Sequence, residues 1–119
     1  MKNFKLLPIF ILTILITFGL TASVSAKDIT IMNNSGKTIE QLYLIPSINK
    51  GWGDDKLGDK VIPDGGSFTV TGLVVAGKTT ITPELRFWDL KVVFHDRQEE
   101  SWLNINLSEL STIWIDKDN

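Results

Sequence analysis

Between residues 51 and 60 the chain reads GWGDDKLGDK, which sets three carboxylates, Asp54, Asp55 and Asp59, close together. Carboxylate oxygens are hard donors suited to Ca²⁺, which takes about six to eight oxygens, backbone carbonyls among them. The spacing is not the Asp-x-Asp-x-Asp-Gly run of an EF-hand loop, and no glutamate stands where that loop places its bidentate ligand. Lys56 and Lys60 also interrupt the cluster and oppose a cation. The same residues support a second reading, which the lysines favour. Trp52 and Leu57 anchor the loop from beneath, glycines supply unusual backbone angles, and Asp55 accepts loop N–H groups as aspartate does in turns and caps. The two readings differ in what Asp55 bonds to, an ion or backbone amides.

Aromatic side chains suggest another chemistry. Four tryptophans and Tyr43 in a short chain point to a carbohydrate or peptide platform, because aromatic faces stack on sugars and anchor interfaces. Trp88 shares its phase with Leu90, Val92 and Phe94 and reads as core. Trp102 falls opposite Leu103, Ile105 and Leu107, and Trp114 falls opposite Ile113 and Ile115. That phase predicts an outer-face pair, either packed across strands or presented to a ligand. Candidate binding residues are therefore Trp52, Asp55, Trp102 and Trp114, with Asp54, Asp55 and Asp59 as the metal alternative.

Catalytic chemistry has little support. The single histidine, His95, precedes Asp96, but a neighbouring pair without an activated nucleophile is not a triad. No Gly-x-Ser-x-Gly, His-Glu-x-x-His or phosphate-cradling glycine loop occurs. Glu84, Glu99 and Glu100 read as solvated turn residues. No catalytic residue is nominated, and no enzyme is expected.

The elements that position these residues read as strands. Alternation over Asp28–Asn33, turn chemistry at Asn34–Lys37 and a β-rich run over Thr38–Ile45 predict a first hairpin, the second run's broken alternation meaning either burial on both faces or a bulge near Gln41. Ser47–Asp59 is a long loop with one helical turn near Asp54–Leu57. Lys60–Ile62 and Ser67–Thr71 flank Pro63-Asp64-Gly65-Gly66 and predict a second hairpin. Leu73–Pro83 reads as a connection with an edge-like segment. Leu85–His95, Ser101–Leu107 and Thr112–Asp116 are the remaining strands, joined by the Asp96–Glu99 turn and a tight Ser108–Ser111 connection. The expected fold is all-β, a small two-layer antiparallel β-sandwich of about six to seven strands.

Residues 1–26 read as a cleavable signal peptide. Lys2 and Lys5 precede an apolar run from Leu6 to Leu20, and Val24 and Ala26 stand where a signal peptidase reads small residues. The run is shorter than the roughly 20 apolar residues of a spanning helix. The expectation is one domain over 27–119, secreted or periplasmic, with no stable membrane insertion after cleavage. There is no cysteine, so neither a lipid-modified cysteine nor a disulfide contributes. The chain carries a net charge of −2, and losing Lys2 and Lys5 makes the remainder two units more acidic. With no basic cluster, nucleic acid is not an expected partner.

Asn33-Asn34-Ser35-Gly36-Lys37-Thr38-Ile39 with Leu42-Tyr43, then Trp52-Gly53-Asp54-Asp55-Lys56-Leu57-Gly58, then Gly65-Gly66-Ser67 and Trp88-Asp89-Leu90 resemble a family of small exported bacterial proteins of unknown function. The pattern is N-N-[ST]-G-x-T-I-x-x-L-Y followed by W-G-x-D-x-L-G. The chain departs from it at Asp96-Arg97-Gln98-Glu99, where the family often has an Asp-Gly turn, and at Ser108, near which it often has a cysteine. The resemblance implies one exported β domain and singles out Asp55 within the loop, without implying an activity. The expected function is a non-enzymatic domain that binds a protein or cell-envelope partner through its loop end or an aromatic sheet face. A calcium-dependent or carbohydrate-binding module is the alternative, and Ca²⁺ is the only cofactor considered.

Overall fold

The computed structural model describes residues 26–117. The signal-peptide reading therefore falls almost wholly outside the described residues. Within them, six strands run in chain order as β1 (Ala26–Asn34), β2 (Ile39–Pro46), β3 (Ser67–Val74), β4 (Phe87–Phe94), β5 (Glu99–Asn106) and β6 (Thr112–Asp116). They form two three-stranded sheets, ordered β3-β1-β6 and β2-β4-β5. The domain is an all-β sandwich.

The core follows from period-two patterning. Ile29 and Ile31 of β1, Ile39, Leu42 and Leu44 of β2, and Trp88, Leu90, Val92 and Phe94 of β4 all lie buried in one cluster between the sheets. Leu57, Ile62, Leu107 and Ile115 join it from loops and from β6. Burying each such aliphatic side chain is worth roughly 1.5–3 kcal/mol, and with no disulfide this apolar layer is the main source of stability. Trp88 satisfies its indole N–H on the Leu85 carbonyl at 2.8 Å.

The path of the chain differs from the expected hairpins. Asn34–Lys37 does not turn β1 back onto β2. It carries the chain from one sheet to the other, because β1 pairs with β3 and β6 whereas β2 pairs with β4. The predicted second hairpin is also absent: β3 pairs with β1, and the Lys60–Ile62 segment contributes one bridge, Ile62 to Ile39. Nor is the sandwich wholly antiparallel, since β1 and β6 are parallel from Thr30↔Thr112 to Asn34↔Asp116. A parallel partner requires a crossover, and the chain makes it by passing through the opposite sheet before returning. The expected helical turn at Asp54–Leu57 is irregular loop, and a short 3₁₀ helix, Leu107–Glu109, forms instead after β5.

Some local expectations do correspond to the structure. The register of β2 slips between Ile39 and Gln41, a bulge that accounts for its broken alternation. β4 and β5 form a true hairpin around Asp96–Gln98, with Arg97 at φ 74°.

One buried polar residue ties the connections together. Asn33 is 1% exposed. Its Nδ2 donates to the carbonyls of Lys37 (2.7 Å) and Ile62 (2.8 Å), while its Oδ1 accepts from the backbone N–H and hydroxyl of Ser35 (3.1 and 2.6 Å). Its own main chain pairs with Gly65 and Gly66. Every polar group of the side chain is used, the condition under which a buried amide organises rather than destabilises a core.

Candidate functional site

The Trp-Gly-Asp loop forms a clasp around strand β2. β2 is an edge strand of its sheet, so one side of its backbone needs partners. The Leu42 N–H donates to Asp55 Oδ1 at 2.9 Å, and the Lys56 N–H donates to the Leu42 carbonyl at 2.7 Å. Asp55 Oδ1 also accepts the Leu57 N–H at 2.9 Å, closing the loop on itself. Leu57 enters the core, and Ile39 and Ile62 exchange both backbone hydrogen bonds further along the same edge. Asp55 thus bonds to backbone amides.

The clasp continues onto the outer face of the sheet. Gly53, at φ +72°, lies beside Ile45, where an added Cβ would make ordinary contact at 3.5 Å with Ile45 Cγ2. That left-handed angle is one that side-chain-bearing residues rarely adopt. Trp52 then lies over Lys91, whose Nζ is 5.2 Å from the indole centroid and 4.8 Å from that of Tyr43. This corrects the expectation that Trp52 tucks beneath the loop with Leu57: Leu57 goes inward, and Trp52 stays half-buried outside over an ammonium group.

The three loop carboxylates do not act as a set. Asp54 and Asp59 are exposed, and Asp64 faces the other way, accepting the Gly36 N–H at 2.9 Å. Among the described residues no group of three or more His, Asp or Glu is gathered as a metal site.

The second pair of candidates, Trp102 and Trp114, lies on the other side of the sandwich. β2 and β5 are opposite edges of one sheet, and β6 is an edge of the other. An open groove of about 530 Å³ lies between β5 and β6, lined by Glu100, Ser101, Trp102, Trp114, Asp116 and Lys117. Both indoles remain accessible, 36% exposed for Trp102 and 58% for Trp114.

The structure corrects the expected pairing on one outer face: the two tryptophans belong to different sheets. A bulge in β5 also changes the face that Trp102 occupies. Trp88 pairs with Ile105 and Leu90 with Trp102, so β5 carries one residue more than β4 between those pairs. The extra residue is accommodated at Asn104, whose φ is 59°. Asp89 Oδ1 holds it there by accepting the Asn104 N–H at 2.9 Å, and it also accepts the Ser47 hydroxyl at 2.6 Å. Residues directly opposite share a face, so Trp102 joins the phase of buried Leu90 at the rim of the core, while Leu103 becomes 62% exposed. Trp114 keeps its expected outward phase, opposite Met32.

The groove is acidic on balance. Glu100 and Asp116 stand against Lys117, whose side chain leans across Gly36 with Cε 3.0 Å from where a Cβ on that glycine would sit. Sequence reasoning missed Glu100, Ser101, Asp116 and Lys117 because two sheets bring them together. The one local signal was Asn104, an asparagine inside an aliphatic strand and of a type that tolerates positive φ.

Searches of protein-family models, curated proteins and solved structures found no match to this chain. The site therefore rests on its own geometry. Beside His95, Asp96 Oδ2 takes the Lys37 ammonium at 3.1 Å and Oδ1 takes the Gln98 N–H at 3.0 Å. The Gln98 N–H, then Lys37, hold the Asp96 carboxyl below its usual range.

Proposed function

We propose that the protein is an exported, non-enzymatic binding domain that holds a protein or cell-envelope partner in the groove between β5 and β6. The observation that carries this reading is the convergence of two accessible indoles, Trp102 and Trp114, from separate sheets onto one open groove. Accessible tryptophans contribute large contact area and commonly anchor binding. The clasp carrying Trp52 and Asp55 is then a structural device, because its aspartate and leucine are engaged within the fold.

Export rests on the leader-like residues 1–26 and on the motif resemblance to small exported bacterial proteins. A secreted or periplasmic location follows from that reading. The carbohydrate alternative uses the same indoles; the calcium alternative has less support, since Asp55 Oδ1 already accepts two backbone N–H groups.

The test is affinity capture from host cell envelope, using the protein expressed from its full 119-residue sequence, followed by reconstitution with the purified partner. Trp102→Ala loses the partner and Trp52→Ala keeps it. Loss with Trp52→Ala alone moves the site to the clasp and overturns the proposal. Intact mass of the exported form is expected to begin at Lys27.

A further inference from the structure

We infer that the groove takes an extended basic peptide segment, a lysine or arginine side chain lying on the indoles between Glu100 and Asp116. This inference rests on the groove being the binding site and names the chemistry of its occupant. The first argument is how cationic side chains cover other aromatic rings of the chain, both at the surface and at the edge of the core. Lys37 lies over Phe94 at 4.4 Å, Arg86 over Phe87 at 5.5 Å, and Lys91 over both Tyr43 and Trp52. Among the described residues no cation covers Trp102 or Trp114, the two most suitable faces for one.

The second argument is charge. Glu100 and Asp116 line the groove beside those indoles, Asp116 Oδ1 accepting from Asn34 Nδ2 at 3.4 Å, and Lys117, the one lysine of the lining among the described residues, reaches toward Gly36. Carboxylates beside bare aromatic faces complement an ammonium or guanidinium group. They repel an anionic ligand and gain no charge pairing from a neutral one.

The third argument is the backbone. β5 and β6 are both terminal strands of their sheets, so among the described residues each has a side without a ladder partner, and the groove lies between the two strands. An extended segment hydrogen-bonds to such an edge through its main chain and places alternate side chains toward the groove. The β2 edge is denied this role by the clasp. The Asn104 bulge leaves Glu99–Trp102 as the regular stretch of β5 available for pairing.

The probes are an eight-residue peptide alternating lysine and valine, its glutamate–valine counterpart, the lysine peptide with alternate amides N-methylated, and a chitin hexasaccharide. Each is titrated into the protein by tryptophan fluorescence and calorimetry. The lysine peptide is expected to bind at least about tenfold more tightly than the glutamate peptide. Glu100→Gln with Asp116→Asn should remove most of that preference, and N-methylation should abolish binding. Trp102→Ala should lose binding while keeping the thermal transition. Equal binding of both peptides, or no effect of the carboxylate changes, overturns the basic ligand but leaves the groove as a site. Hexasaccharide binding that depends on Trp102, without peptide binding, also overturns the inference and keeps the groove. If no probe binds and envelope capture is indifferent to Trp102→Ala, both readings fall.

Discussion

Asp55 and Leu42, thirteen residues apart, are joined by a 2.9 Å hydrogen bond from the Leu42 N–H to a carboxylate oxygen. The bond lets a side chain stand in for a strand. With the Lys56 N–H on the Leu42 carbonyl, it completes both backbone groups of an edge residue without adding a seventh strand.

Replacing Asp55 by alanine leaves the Leu42 and Leu57 amides without that acceptor. Each part-buried donor left unmade costs about 1–3 kcal/mol, so Asp55→Ala is expected to lower stability by about 2 kcal/mol. For a domain of this size that is roughly 10 °C in Tm. Asp55→Asn keeps an acceptor oxygen and should lose less than half as much. Urea and thermal unfolding measure both. Calcium or chelator should not shift the wild-type transition, whereas a rise in Tm with Ca²⁺ that disappears in Asp55→Asn would restore the metal reading.

Asn33→Ala is expected to be the most destabilising single polar substitution. It removes the donor to two carbonyls and the acceptor for Ser35, all around a residue 1% exposed. A loss of about 3 kcal/mol or more is expected. Asn33→Asp should be no better, because a carboxylate repels the same carbonyls and carries buried charge. Chemical denaturation at neutral pH distinguishes these outcomes from a surface effect of less than about 0.5 kcal/mol.

Acid sensitivity should trace in part to Glu84. The Arg86 guanidinium hydrogen-bonds both of its carboxylate oxygens at 2.8 Å. This holds the carboxyl down from 4.5 to about 2. A carboxyl depressed in the folded state contributes stability in full above its ordinary value and loses it as pH falls through the folded one. The Glu84 contribution should therefore fade between about pH 4.5 and 2, and Glu84→Gln should flatten that part of the acid limb. Carboxyl carbon NMR should place the Glu84 midpoint near 2; a midpoint near 4.5 would mean that the ion pair does not persist in solution.

Asp89→Ala should loosen the bulge that sets the face of Trp102. Hydrogen exchange of the Asn104 amide should accelerate at least about tenfold, and Trp102 emission should shift, with the core transition lowered by about 1–2 kcal/mol. Asn104→Gly keeps the positive φ and should preserve the Trp102 signal. Asn104→Val should not, because a β-branched residue disfavours that angle.

The class of fold was legible because β1 and β4 follow strict alternation, and the turn residues at Asn34–Lys37, Pro63–Gly66 and Asp96–Glu99 are where they were expected. Connectivity was not. A turn signal says that the chain reverses, not whether it lands in its own sheet or crosses to the next, and that choice is made by core residues far apart in sequence such as Ile31, Phe94 and Ile115. The role of Asp55 was readable as one of two options, since both need an exposed-loop carboxylate. The groove was hidden for a different reason. A single extra residue at Asn104 turns Trp102 onto the opposite face, and period-two reasoning carried through a bulge inverts its answer.

The parallel pairing of β1 with β6 also fixes the order of events in making the molecule. β1 is the earliest of the described strands and sits in the middle of its sheet, yet one neighbour is β6, the last of them. That sheet cannot be completed until residues 112–116 are present, and distant pairings of this kind form slowly. On the proposed export route this delay is useful. A chain exported as proposed would stay threadable in transit and close its β3-β1-β6 sheet only once residues 112–116 had followed.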